Sequence, residues 1–135
     1  MKKNLFLLLC LLIALEGCSK TDNTAQKDEV PALLEVAIKT PDIVNAKEEV
    51  KIEAIVTQGE DKVNDAEEVN FEIWKEGQEK HARYIGKSQG KGIYSINNTF
   101  SEEGKYYIVA HVTARDMHNM PKKEITVGSE KAPTE

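Results

Sequence analysis

The run Met117-His118-Asn119-Met120-Pro121 places two thioethers and an imidazole within one short stretch. A thioether is a soft donor and an imidazole a borderline one, so His118 and Met120 suit copper, and Cu(I) in particular, over magnesium, calcium or zinc. Met117 is a possible additional sulfur. Apart from the initiating Met1, these two are the methionines of the chain, and they flank one of its 3 histidines. His111, on the segment leading into the run, is a third candidate ligand, and His81 a fourth. A blue-copper electron-transfer centre is disfavoured, because it needs a thiolate, and Cys10 lies within the N-terminal apolar run and Cys18 at its end. The competing reading gives the same run no metal. Methionine fills irregular gaps well, and a Met-Pro pair can close the end of a structural or protein-interaction module at the outer face of the membrane.

Other chemistries find no support. The chain has no G-x-S-x-G, no H-E-x-x-H, no phosphate-cradling glycine loop and no paired cysteine ligands, so no enzyme is expected. The acidic pairs Glu48-Glu49, Glu67-Glu68 and Glu102-Glu103 fall at strand starts or turns, where they solvate the surface. A net charge of -5 without a dense Lys/Arg stripe excludes nucleic acid as a partner.

The elements that must position the candidate ligands are strands. Leu34, Val36 and Ile38 alternate with polar or small neighbours, as do Val50, Ile52, Ala54 and Val56, and then Val69, Phe71 and Ile73. His81 to Gly86 reads as a short weak strand, Ile93 to Phe100 as another, and Glu124 to Gly128 as the last. The polar stretch Gln58 to Glu68 carries turn residues. Glu102-Glu103-Gly104-Lys105-Tyr106-Tyr107-Ile108-Val109-Ala110 has the acidic-x-Gly-x-Tyr pattern around a tyrosine corner. In that register Tyr106, Ile108, Ala110 and Val112 face the core and His111 faces away. The expectation is all-β: an immunoglobulin-like antiparallel β-sandwich of about seven strands, with the His/Met run as the loop joining the last two.

The N-terminus reads as an address. Lys2-Lys3 precedes an apolar run, Leu5 to Leu15, too short to span a bilayer, and Leu15-Glu16-Gly17-Cys18 resembles a lipobox with Glu16 as its one unusual residue. A lipoprotein signal peptide is expected over residues 1–17, a flexible tether over 18–31, the folded domain over 32–128 and a disordered tail over 129–135. Lipid on Cys18 would anchor the protein to the cell membrane at its extracytoplasmic face.

Phe71-Glu72-Ile73-Trp74-Lys75, Gly92-Ile93-Tyr94 and, above all, Ala110-His111-Val112-Thr113-Ala114-Arg115-Asp116-Met117-His118-Asn119-Met120-Pro121-Lys122-Lys123 resemble the YtkA-like domain, a FixH-related family of lipoproteins. The resemblance implies an immunoglobulin-like sandwich outside the membrane. It also implies His81, His111, His118 and Met120 as the family's His and Met places. By analogy it points to copper handling, with a copper-handling or oxidase-assembly protein as partner. Metabolic labelling with palmitate should mark the wild-type chain and leave Cys18→Ala unlabelled. Equal labelling of both would remove the anchor.

Overall fold

The structure, a computed structural model, describes residues 29–128. The expected signal peptide, Cys18, nearly all of the expected tether and the expected tail lie outside the described residues. The strands are β1 (Leu34–Lys39), β2 (Ile43–Val44), β3 (Glu49–Gln58), β4 (Asp61–Lys62), β5 (Glu68–Lys75), β6 (Ala82–Ile85), β7 (Lys87–Gly90), β8 (Ile93–Thr99), β9 (Gly104–Ala114), β10 (Met117–Asn119) and β11 (Lys122–Val127). The long ones are those whose apolar residues alternate. No helix is present among the described residues.

Two sheets pack face to face. One runs β1-β3-β8-β7 with β4 against β3; the other runs β2-β11-β9-β5-β6 with β10 against β9. All pairs are antiparallel except β2 with β11, which is parallel. This is the immunoglobulin-like sandwich that the alternation predicts. Ile52, Ala54 and Val56 from the first sheet meet Phe71, Ile108, Ala110 and Val112 from the second, all fully buried. Each of the larger side chains contributes about 1.5 to 3 kcal/mol through the surface it removes from water. The Tyr106 hydroxyl donates to the Glu102 carbonyl at 2.9 Å, and its ring meets Phe100 edge-on at 4.8 Å, so the tyrosine corner is formed.

Three local features differ from the sequence expectation. Val63, inside the polar stretch after β3, is fully buried: its N–H donates to the Val56 carbonyl, and its own carbonyl accepts from the Tyr94 hydroxyl. A single apolar residue among polar ones has no period to reveal it. The weak strand after His81 is β6 alone, and at Gly86 the chain crosses to β7 in the other sheet. A Cβ at Gly86 would come within 3.0 Å of both Phe71 and Val69, so only glycine passes there without displacing core side chains.

The third difference matters most. The expected loop from Ala114 to Pro121 is a hairpin with a two-residue turn, Arg115-Asp116, whose φ values of 51° and 61° are both positive, as a type I′ turn requires. β10 pairs Met117 with Ala114 and Asn119 with Val112, and β11 resumes the same register with Lys122 opposite Val109. β10 and β11 are therefore one strand, interrupted only where Pro121 lacks an N–H for the ladder. The Ala110 N–H still donates to the Pro121 carbonyl at 3.1 Å. The final strand begins earlier than Glu124 for the same reason.

Gly92 marks the tightest approach between backbone segments. Its φ is +74°, and a Cβ there would lie 2.5 Å from the Val56 carbonyl oxygen, whereas Gly90, at φ +80°, has open space. Gly90→Ala should cost about 1 kcal/mol of backbone strain, and Gly92→Ala roughly 3 kcal/mol or more, because the strands must also separate. Urea unfolding of the two variants checks this, and equal losses would show that the close approach carries no energy.

Candidate metal centre

The outer face of the β2-β11-β9-β5-β6 sheet is built by parity. Because Ile108, Ala110 and Val112 point inward, Tyr107, Val109, His111 and Thr113 of β9 point outward. Phe71 and Ile73 point inward, so Asn70, Glu72 and Trp74 of β5 share that outer face. The register sets Asn70 beside His111 and Trp74 beside Tyr107. On the other side of β9 the hairpin sets His118 beside Thr113 and continues to place Met120 opposite His111. Since Ala110 and Pro121 share a ladder hydrogen bond, His111 and Met120 form a non-hydrogen-bonded pair, in which facing side chains approach closest.

His111 is the hub. Its Nδ1 lies 3.1 Å from Met120 Sδ, and its Nε2 lies 2.6 Å from Glu72 Oε2. The other carboxylate oxygen of Glu72 lies 2.6 Å from His81 Nδ1. The His81 ring stacks on Trp74 with centroids 4.1 Å apart and planes 8° from parallel. His118 Nδ1 is 2.8 Å from Thr113 Oγ1, which leaves Nε2 as the nitrogen open to a ligand, and its ring centroid is 6.5 Å from that of His111. Lys122 sits over the Tyr107 ring at 4.3 Å and flanks Trp74 at 5.4 Å.

The structure thus brings His111 and Met120 together and puts His118 on the same face. His81 reaches His111 only through Glu72. Met117 is corrected: the two-residue turn gives it inward parity, and it packs half-buried against the core rather than joining the other sulfur. Glu72 was missing from the sequence-derived set. Its outward parity was readable from Phe71 and Ile73, but an acid on a strand of a highly charged protein is ordinarily a solubilising residue.

The donor set has definite capacities. An ion bound to an imidazole nitrogen and a sulfur at roughly 2.0 and 2.3 Å, with a tetrahedral angle, needs its donors about 3.5 Å apart. The His111–Met120 pair at 3.1 Å meets that with a small side-chain rotation. Among the described residues no three His, Cys, Asp or Glu side chains converge on one point, because Glu72 lies between the two imidazoles it bonds. Met120 supplies the soft donor of this face, and paired with the His111 imidazole it suits a soft cation.

Glu72 is held well ionised: the hydrogen bond from His81, then that from His111, and the charge of Arg83 lower its pKa below the ordinary 4.5, against a smaller opposing effect of burial. A depressed carboxylate pKa stabilises the fold above the unfolded-state value, and the contribution is lost as pH falls below about 4.5 toward the folded value. Glu72→Gln should therefore cost on the order of 1 to 2 kcal/mol at neutral pH. The stability difference from wild type should shrink as pH falls below 4.5. Denaturant midpoints measured across that range check it, and a pH-independent difference would contradict it.

Comparison with known proteins places these features in context. Among solved structures the fold is similar to the PmoD soluble domain from Methylocystis sp. ATCC 49242 (Rockwell), at 14% identity and TM-score 0.48 over 70% of this chain and 90% of that one. It is also similar to the CARDB domain of the PF1109 protein from Pyrococcus furiosus, a complex with di-metal ions, at 23% identity and TM-score 0.45 over 74% and 96%. A third is the superoxide reductase (neelaredoxin) from Ignicoccus hospitalis, at 15% identity and TM-score 0.46 over 72% and 81%. These likenesses are of fold. No curated protein matches the chain. The YtkA-like family model matches residues 28–111, which include His81 and His111 and stop short of His118 and Met120. With more than half of its length matched, the chain belongs to the YtkA-like family.

Proposed function

We propose that this protein binds Cu(I) at the extracytoplasmic face of the cell membrane, where lipid on Cys18 anchors it. His111 Nδ1 and Met120 Sδ are the primary donors and His118 the third. The observation that carries this reading is the 3.1 Å approach of an imidazole nitrogen to a thioether sulfur across one hairpin. Bound copper would supply only a transferable cation; the chain's part is to present three donors from the two arms of one hairpin. Met120 is 53% exposed. A sulfur at the surface can be exchanged for a donor of an incoming protein, which suits delivery to a copper-handling or oxidase-assembly partner better than storage. No catalytic residue is assigned.

The metal-free alternative, a structural or protein-interaction module, draws support from the way Glu72 satisfies two imidazoles without an ion. A Cu(I) competition titration against a chromophoric chelator, under anaerobic reducing conditions, separates the two. The double variant His111→Ala/Met120→Ala should weaken binding by at least about a hundredfold, which is roughly 2.7 kcal/mol, and His118→Ala by less. Equal affinities of wild type and double variant would sink the copper reading.

A further inference from the structure

A neutral imidazole has one N–H and one lone pair, and which nitrogen carries which decides whether it can meet a metal at all. In His111 both nitrogens have neighbours. Nε2 faces a carboxylate oxygen at 2.6 Å, and an ionised carboxylate only accepts hydrogen bonds, so Nε2 must be the donor. The lone pair of a neutral ring then falls on Nδ1, directed at Met120 Sδ, which also presents lone pairs. In the neutral ring two lone-pair atoms then face one another across 3.1 Å, an arrangement that a soft cation relieves.

We infer that Glu72 is a positioning residue, which fixes Nδ1 of His111 as the metal-facing nitrogen and, through its second oxygen, ties His81 down outside the ligand set. The inference rests on the copper reading for its purpose and on the metal-free geometry for its substance. The Glu72 side chain is only 15% exposed, and Arg83 Nη2 at 3.5 Å and the two imidazoles hold it in place. His81 is braced on its other side by the Trp74 ring, on which it stacks nearly parallel. Cross-strand register makes the arrangement rigid: Glu72 pairs with Val109, one outward step along β9 from His111, so its carboxylate reaches the ring diagonally. Carboxylates behind a metal-binding imidazole generally orient the ring and raise its basicity, and their loss costs about 10- to 100-fold in metal affinity.

The tautomer of His111 is read directly in the metal-free full chain, in detergent micelles near neutral pH, by long-range proton–nitrogen correlation spectra. Wild type should show Nε2 protonated and Nδ1 bare. Glu72→Ala should shift His111 toward the Nδ1–H form and weaken Cu(I) binding by about tenfold or more. Glu72→Gln, whose side-chain oxygen still accepts from Nε2–H, should recover part of both. His81→Ala removes one of the groups that hold Glu72 but no donor, so it should cost less affinity than Glu72→Ala and far less than His111→Ala. The inference is overturned if wild-type His111 carries a proton on Nδ1, or if Glu72→Ala leaves the tautomer unchanged. It is equally overturned if His81→Ala loses as much affinity as His111→Ala. Failure of wild type to bind Cu(I) would remove the copper reading alone, because the tautomer comparison is made without metal.

Discussion

Everything proposed for the outer sheet face depends on the register of one hairpin. The Arg115-Asp116 turn reverses β9 in two residues, and that length, with both φ values positive, sets every later residue opposite a fixed partner. One residue more in the turn would exchange the faces: Met117 would leave the core, and His118 would turn inward. The turn is in addition tied to the rest of the sandwich, because the Arg115 guanidinium donates to Gln58, Asp61 and Asp65. Asn119 donates to the Leu34 carbonyl farther down the same arm. A register set locally is thus held by contacts from the opposite sheet and the loop beside it.

The same constraint explains what the sequence made legible. Period-two alternation in β1, β3, β5 and β9 was strong enough to give the sandwich, the inward set of β9 and the outward direction of His111. The tyrosine corner was readable because a hydroxyl four residues from its acceptor is a local event. The His/Met run was recognisable by composition, but its shape was not. Arg-Asp carries neither the glycine nor the asparagine that usually announces a type I′ turn, so the hairpin between the last two strands was expected with a long loop at its tip in place of a tight turn. Glu72 and Val63 escaped for a related reason: each owes its role to residues distant in the chain. Glu72 bonds His111 39 positions away, and Val63 accepts from Tyr94 31 positions away. No short window of sequence contains both partners.

A sheet face open to solvent would ordinarily be covered with unconnected charges. This one is organised: a carboxylate shared by two imidazoles, one ring braced on an indole and the other on a sulfur. Holding so many side chains in one conformation costs rotamer entropy, which the hydrogen bonds to the ionised Glu72 carboxylate offset. Side chains set in advance on rigid strands are what a binding surface requires.

Trp74 is the chain's single tryptophan, and its indole lies flat against the His81 ring. Its emission, excited at wavelengths beyond tyrosine absorption, therefore comes from one site, linked to His111 through the His81 stack and two hydrogen bonds. The protein carries its own optical gauge of the imidazole–carboxylate chain, in the native sequence and without a label.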